Sequence, residues 1–385
     1  MGRIRAHSAQ RHPGCEVARV ADIHLPQAQS LAAELGCSAS IDWTELVTRD
    51  DIDAVVVATP PKYLADISAA ALQAGKHVLC EKPGARTSAE AEAVLRVLYG
   101  SWPPADSAIV LPAGKRGAAQ LVMGFTLRHH PAVARARRLL AGGEIGRPMY
   151  LVGRYGHGGR PGYEQEWRAR RELAGGGELL DQGVHLIDLS RWFLGEFEEV
   201  AGFVGTYFWR PNPPAEIDAL EDNAFLLLRS AEGHVASIQA SWTQWKNLFA
   251  FEVYGENGFL QVRGLGGSYG EEELVVGRRN LHGGPPETVQ IGFSPEETTE
   301  ARNDVWALEW QAFVSAVLDP DPSASIQPVS AIDAWQALRI VEAAYEASRT
   351  GASLPLRRLA TSASHLSLPK ALATASRLQE NNDSV

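Results

Sequence analysis

Residues 53–83 read DAVVVATPPKYLADISAAALQAGKHVLCEKP, and no other stretch limits the fold so tightly. Asp53–Ala58 is an unbroken β-branched run, which suits a strand buried on both faces rather than a half-solvated one. Lys62–Ala74 has helical spacing and stops at Gly75, and His77–Cys80 is a second apolar strand. Strands alternating with helices of this length are joined by parallel crossovers and build a doubly wound sheet. The alternation extends in both directions. Arg3–His12 reads as a helix stopped by Pro13-Gly14, Glu16–Ala21 as a short strand, Pro26–Leu35 as a helix closed by Gly36, Ser88–Leu98 as a helix and Gln120–Phe125 as a strand.

A sequence of 385 residues exceeds one ordinary core, so two domains are expected. Residues 1–124 form the first, a Rossmann-type parallel sheet. Within it, residues 98–120, rich in Pro, Gly and Ala, read as an inserted loop, because a compact connection needs only a few residues. From Leu127 the pattern changes to a basic helix, Pro131–Ala141, a strand near Met149–Arg154 and a long helix, Glu178–Leu194. Extended segments follow at Ala201–Trp209, Asn223–Arg229, His234–Trp242, Leu248–Tyr254 and Phe259–Arg263, separated in part by turn residues, so residues 125–355 are expected to hold an α/β domain with an antiparallel meander. Residues 356–385 read as a loosely docked tail.

Charge and cysteine usage narrow the partners. The net charge of −10, without a basic block, argues against nucleic acid and anionic membranes. Cys15, Cys37 and Cys80 are scattered and lack metal-ligand spacing, so reduced thiols in a cytoplasmic protein and no metal are expected. Adjacent His129 and His130 point in different directions on a regular element, which disfavours a shared metal. No apolar run approaches the length of about 20 residues that spans a bilayer.

Three constellations bear on chemistry. At the start, Gly2 opens a helix and Asp22 follows a strand 20 residues on, as the third glycine and the ribose-binding acid of a G-x-G-x-x-G fingerprint would. The preceding strand and the first two glycines have no counterpart, so a Rossmann sheet lacking its first strand is expected. Second, Glu81-Lys82-Pro83 lies at the carboxyl end of a sheet strand, where open α/β sheets bind ligands, so Lys82 is delivered to a cleft. Third, in GGGELLDQGVHLIDLSRWFLG (175–195) Asp181, His185 and Asp188 share one stripe of an otherwise apolar helix. Buried Asp and His on such a helix are either paired with each other or functional.

The motifs EKP after GKHVLC and GGGxLxDxGxHxxD, with GFTLRHHP (124–131) and GEIGRP (143–148), resemble those of the glucose–fructose oxidoreductase / inositol dehydrogenase family, Gfo/Idh/MocA, from Gly2 to about Leu356. The resemblance implies a Rossmann domain followed by an α/β domain with a large, mostly antiparallel sheet, whose open face commonly forms a homo-oligomer interface. It implies Lys82, Asp181 and His185 as catalytic residues. Gly2, Arg3, Ile4, Asp22, Thr59, Pro60, Glu81 and Lys82 would then bind the cofactor. The implied activity is hydride transfer between a nicotinamide cofactor and a secondary alcohol of a sugar, polyol or nucleotide sugar. Asp22 favours NAD over NADP, because a carboxylate repels the 2′-phosphate. Leu64 stands where the family often has a histidine, and the 98–120 insertion is a second departure. His185, neutral near pH 7 and aimed by Asp181, would serve as general base, with Lys82 stabilising the alkoxide. Arg128, His157, Arg160, Tyr163, Trp167, Arg168 and Lys246 are the candidate substrate contacts. Two alternatives stand beside this reading: a glycoside hydrolase that uses bound NAD transiently, and a cofactor-deficient, non-catalytic paralogue.

Overall fold

The computed structural model describes residues 1–100, 102, 119–210, 220–293, 305–318 and 328–356. Most of the 98–120 insertion and all of the tail beyond Leu356 lie outside the described residues. The N-terminal part contains β1 (Arg19–Ala21), β2 (Ser38–Ser40), β3 (Ala54–Val57), β4 (His77–Glu81) and β5 (Leu121–Gly124), all paired in parallel. Helices α1 (Gly2–Arg11), α2 (Leu25–Leu35), α3 (Pro61–Gln73) and α4 (Ser88–Tyr99) alternate with them. Helix α3 turns Leu64, Ile67, Ala71 and Leu72 into the core, the i, i+3, i+7 spacing of a one-sided helix. Leu64, at the position where the resemblance points to a histidine, is fully buried and packs in that core.

The parallel strands do not form one sheet. β1 and β2 pair with each other, and β3, β4 and β5 form a separate three-stranded sheet. In a Rossmann sheet a strand preceding the first helix runs between these two pairs of neighbours and bonds both. Here one edge of β1 and one edge of β3 carry no ladder partner among the described residues. β2 was not expected, because Ser-Ala-Ser has none of the apolar patterning that marks a strand.

The second sheet has nine strands in the order β13-β12-β11-β10-β6-β9-β8-β7-β14. They are β6 (Pro148–Gly156), β7 (Phe197–Gly205), β8 (Asn223–Ser230), β9 (Val235–Ser241), β10 (Leu248–Gly255), β11 (Gly258–Arg263), β12 (Glu273–Arg278), β13 (Glu287–Gly292) and β14 (Leu354–Pro355). Only β6 and β9 run parallel; the remaining pairs are antiparallel. Helices α5 (Pro131–Ala141), α6 (Val184–Leu194), α7 (Val305–Leu318) and α8 (Ala331–Thr350) complete the described residues' longer helices. Helix α8 starts at a reciprocal cap between Ser330 and Asp333, which satisfies orphan N–H donors at the helix start.

One face of the large sheet is covered and the other is not. Along β8, Ala224, Leu226 and Leu228 are buried while Phe225 and Leu227 are exposed. Phe203 on β7 pairs with Phe225 across the ladder and is 66% exposed. Period-two strands normally turn polar residues outward, so this apolar outer face departs from the pattern.

Candidate active site

The carboxyl end of β4 carries Glu81 and Lys82, followed by a cis Lys82–Pro83 bond. Opposite it lies the segment expected to be one long helix, Glu178–Leu194. The backbone is instead wound as a π-helical turn over Leu179–Gly183 and becomes an α-helix only at Val184. Such single π turns occur mostly at functional sites, because the extra residue re-aims side chains. Asp181 is in this turn, and the Lys82 ammonium donates both to its Oδ1 and to its main-chain carbonyl, each at 2.5 Å. Arg168 reaches the other carboxylate oxygen, Nε to Oδ2, at 3.3 Å. Burial alone would raise the Asp181 carboxyl, but the Lys82 and Arg168 charges outweigh it and hold the pKa at about 2.

His185 begins the regular helix one turn on. It is buried, with Phe125 and Tyr155 set edge-on against its ring at 5.6 and 6.0 Å between centroids. Burial, followed by the Lys82 charge, pushes its pKa well below the ordinary imidazole value, so the ring is neutral at pH 7. The expected Asp181–His185 hydrogen bond is not made. Asp181 is taken up by Lys82 and Arg168, and His185 Nδ1 has no partner in the protein. The ring is oriented by aromatic packing instead.

The candidate substrate residues divide into three groups. Arg168 lies on Asp181, with its guanidinium over the Trp167 ring at 4.4 Å. His157 and Tyr163 both sense the Asp181 charge. Tyr163 is wedged against Trp242, at 4.8 Å, and Trp209, at 5.9 Å. Arg160 is one step further out, paired with Glu166 at 2.6 Å, which also contacts Arg168. Arg128 and Lys246 are not brought to this centre. Arg128 is buried in an ion pair with Asp188, Nε to Oδ2 at 2.8 Å, beneath Trp192, and Lys246 is exposed on a turn. Asp188 is thereby accounted for as a structural partner of Arg128.

At the N-terminal end, Gly2 lies beside Ala58, so α1 opens next to the Thr59–Pro60 turn. The first turn of α1 carries no acidic residue, which leaves its N–H groups and helix dipole suited to a pyrophosphate. Asp22 follows β1, where its carboxylate accepts from the His24 main chain at 2.8 Å. This donor and acceptor set fits a dinucleotide. Arg3 is bound to Glu34, Ile4 is partly exposed, and Glu81 accepts from buried Arg5 at 2.8 Å, so Glu81 braces α1 against β4. Among the described residues no group of three His, Cys, Asp or Glu side chains could hold a metal ion.

Comparison with known proteins agrees with this architecture. The profile of the oxidoreductase family with an NAD-binding Rossmann fold matches residues 1–99, and that of the GFO/IDH/MocA C-terminal domain matches residues 133–261. Inositol 2-dehydrogenase 2 of Saccharopolyspora erythraea is 30% identical over 89% of this chain and 88% of its own. The chain belongs to the Gfo/Idh/MocA oxidoreductase family. Levoglucosan dehydrogenase of Pseudarthrobacter phenanthrenivorans is 31% identical over 58% of each chain. Among solved structures, an oxidoreductase domain protein from Kribbella flavida superposes with a TM-score of 0.77 at 25% identity, covering 93% of this chain and 96% of that one. Levoglucosan dehydrogenase in complex with NADH and levoglucosan gives 0.76 at 23% identity, over 93% and 97%. This protein is thus an NAD-dependent oxidoreductase by family and fold.

Sequence reasoning missed three residues at the centre. Glu178 is fully buried, and neither carboxylate oxygen makes a well-formed hydrogen bond among the described residues. Tyr155 and Tyr269 pack against each other, 5.5 Å between ring centroids, and both sense the Glu178 charge. Glu178 could have been found as a second acidic residue, beside Asp181, at the head of an apolar helix, but nothing in the sequence links it to Tyr269.

Proposed function

We propose that the protein moves a hydride between NAD and a secondary alcohol of a sugar or polyol, with Lys82, Asp181 and His185 as its catalytic group. The observation that carries this is the convergence of Lys82, from the parallel sheet, with Asp181 and neutral His185, from the second sheet's helix. NAD would supply the hydride acceptor, and the start of α1, Asp22 and the Thr59–Pro60 turn would hold it. His185 takes the hydroxyl proton. Lys82 sets a positive charge where alkoxide character develops and keeps His185 from protonating before substrate arrives. Asp181 fixes the ammonium and, with Arg168, orients it. The aromatic residues Tyr163, Trp209 and Trp242 offer flat faces for a sugar ring, and His157 and Arg168 offer polar contacts. The relatives named for inositol and levoglucosan support this substrate class. Asp22 supports NAD over NADP.

The exposed apolar face with Phe203, Phe225 and Leu227 supports a homo-oligomer formed across the large sheet. The net charge of −10 favours small molecules over nucleic acid. Three free cysteines fit a cytoplasmic setting, and no described helix is long and apolar enough to cross a membrane. The test is NADH formation with a panel of polyols and sugars by the native protein and by His185→Ala. Equal rates for the two proteins would overturn the assignment of the base.

A further inference from the structure

Three polar side chains on the catalytic segment are sealed in the protein without full hydrogen bonding. Glu178, Gln182 and His185 lie at i, i+4 and i+7 and are 0%, 8% and 8% exposed. Among the described residues, both Glu178 oxygens, Gln182 Oε1 and His185 Nδ1 make no well-formed hydrogen bond, with the Ser241 main chain beside the Glu178 carboxyl. Unsatisfied buried polar atoms are rare, and a row of them in one place asks for an explanation. Two tyrosines abut the row. Tyr155 stands edge-on to His185 and packs against Tyr269 at 5.5 Å between ring centroids. Burial, with the Glu178 and Asp181 charges nearby, raises its hydroxyl pKa. Gln182 donates to the Tyr269 oxygen at 3.3 Å. Tyr269 therefore accepts from Gln182, and its own hydrogen is left to point onward. It is half-exposed and lines a pocket of about 530 Å³ whose wall includes Glu271 and Glu273.

We propose that this row is a proton path, carrying the proton that His185 takes from the alcohol through Tyr155, with Glu178 as a buried relay, to Tyr269 and the acidic pocket. It rests on the reading of His185 as base. Each oxidation breaks one O–H bond and leaves one proton on a ring that cofactor and substrate close off from the cleft. His185 takes it on Nε2 and releases the one on Nδ1. A bridging water would carry the proton from Nδ1 to the Tyr155 hydroxyl or the Glu178 carboxyl. Each hydroxyl or carboxyl receives one proton and passes on another, so none is left charged. The proton leaves at Tyr269 to water or a pocket carboxylate, and His185 regains its first tautomer by solvent exchange once product has gone. Glu178 suits a relay because burial, reinforced by the Asp181 charge, keeps its carboxyl protonated well above the usual range, so it can take a proton on one oxygen as it releases the other. The groups facing it include Asp181, Lys82, Glu221, Tyr155, Tyr163 and Tyr269.

The path can be tested with and without turnover. In cofactor-free protein the infrared carbonyl band of the protonated carboxyl, identified by its loss in Glu178→Gln, shifts on transfer to heavy water. The exchange is expected to slow about tenfold in Tyr269→Phe, which keeps the ring and removes the hydroxyl. In turnover, Tyr269→Phe is expected to lose about tenfold in kcat with unchanged KM, to show a larger solvent isotope effect, and to recover with added imidazole buffer, which a packing defect would not do. Unchanged exchange, or a kcat loss that imidazole does not rescue, would overturn the path while leaving the function standing. Native protein that makes no NADH from any alcohol would overturn the function, and the path with it.

Discussion

Lys82 Nζ and Asp181, 99 residues apart in sequence, meet through two hydrogen bonds, one to the carboxylate and one to the main chain of the π turn. The second bond ties the ammonium to the backbone that carries His185, so the ammonium and the imidazole are held in one register. Changing Lys82 should therefore alter the base as well as the alkoxide contact.

Lys82→Met removes the charge that, after burial, most depresses His185. The histidine pKa should rise, and the acid limb of the kcat/KM profile should move to higher pH. The rate at the optimum should fall about 100-fold or more. Steady-state kinetics from pH 5 to 9 check both, and a fall in rate with an unmoved acid limb would separate Lys82 from His185.

Glu178 should make the protein less stable as pH rises. Its folded-state pKa lies above the unfolded value, so above about pH 4.3 the unfolded chain releases a proton that the folded one keeps. Stability from this group is full below that pH and is lost progressively above it. Glu178→Gln should then raise the denaturation midpoint at pH 7 and lose its advantage near pH 4. Urea titrations at the two pH values measure it, and equal effects at both would contradict the buried neutral acid.

Arg128 is a sequence candidate for substrate binding that the structure places in a buried pair with Asp188. Arg128→Met leaves a buried carboxylate without its main partner and should cost about 3–5 kcal/mol of stability. The KM for the polyol, measured at a temperature where the variant is folded, should stay within about twofold of native. A large rise in KM with little loss of stability would return Arg128 to the substrate site.

Much of this was legible in the sequence because the patterns are local. A continuous β-branched run marks β3 and a short apolar run marks β4, helical spacing marks α3, and Gly36 and Gly75 mark helix ends. Lys82, Asp181 and His185 were visible because each sits at a strand end or on an apolar helix where a polar residue is conspicuous. What escaped depends on contacts between distant segments. Ser38–Ser40 becomes a strand only because β1 pairs with it. The π turn at Leu179–Gly183 has no residue signature. Asp181 pairs with Lys82 and Arg168 rather than with His185, a choice made by the approach of two other loops. Tyr269 reaches Gln182 from 87 residues away.

The central claim, hydride transfer at a carbon whose hydroxyl proton goes to His185, is tested most directly by following the hydride itself. Polyols deuterated at each secondary carbinol carbon, incubated with NAD, should transfer deuterium to the nicotinamide ring of the NADH formed. The native protein should do this from one carbon with a single facial preference, and Lys82→Met and His185→Ala should do it at least 100-fold more slowly. Contradiction would be bound NAD with no deuterium transferred from any carbon, or release of a glycoside's leaving group without net NADH.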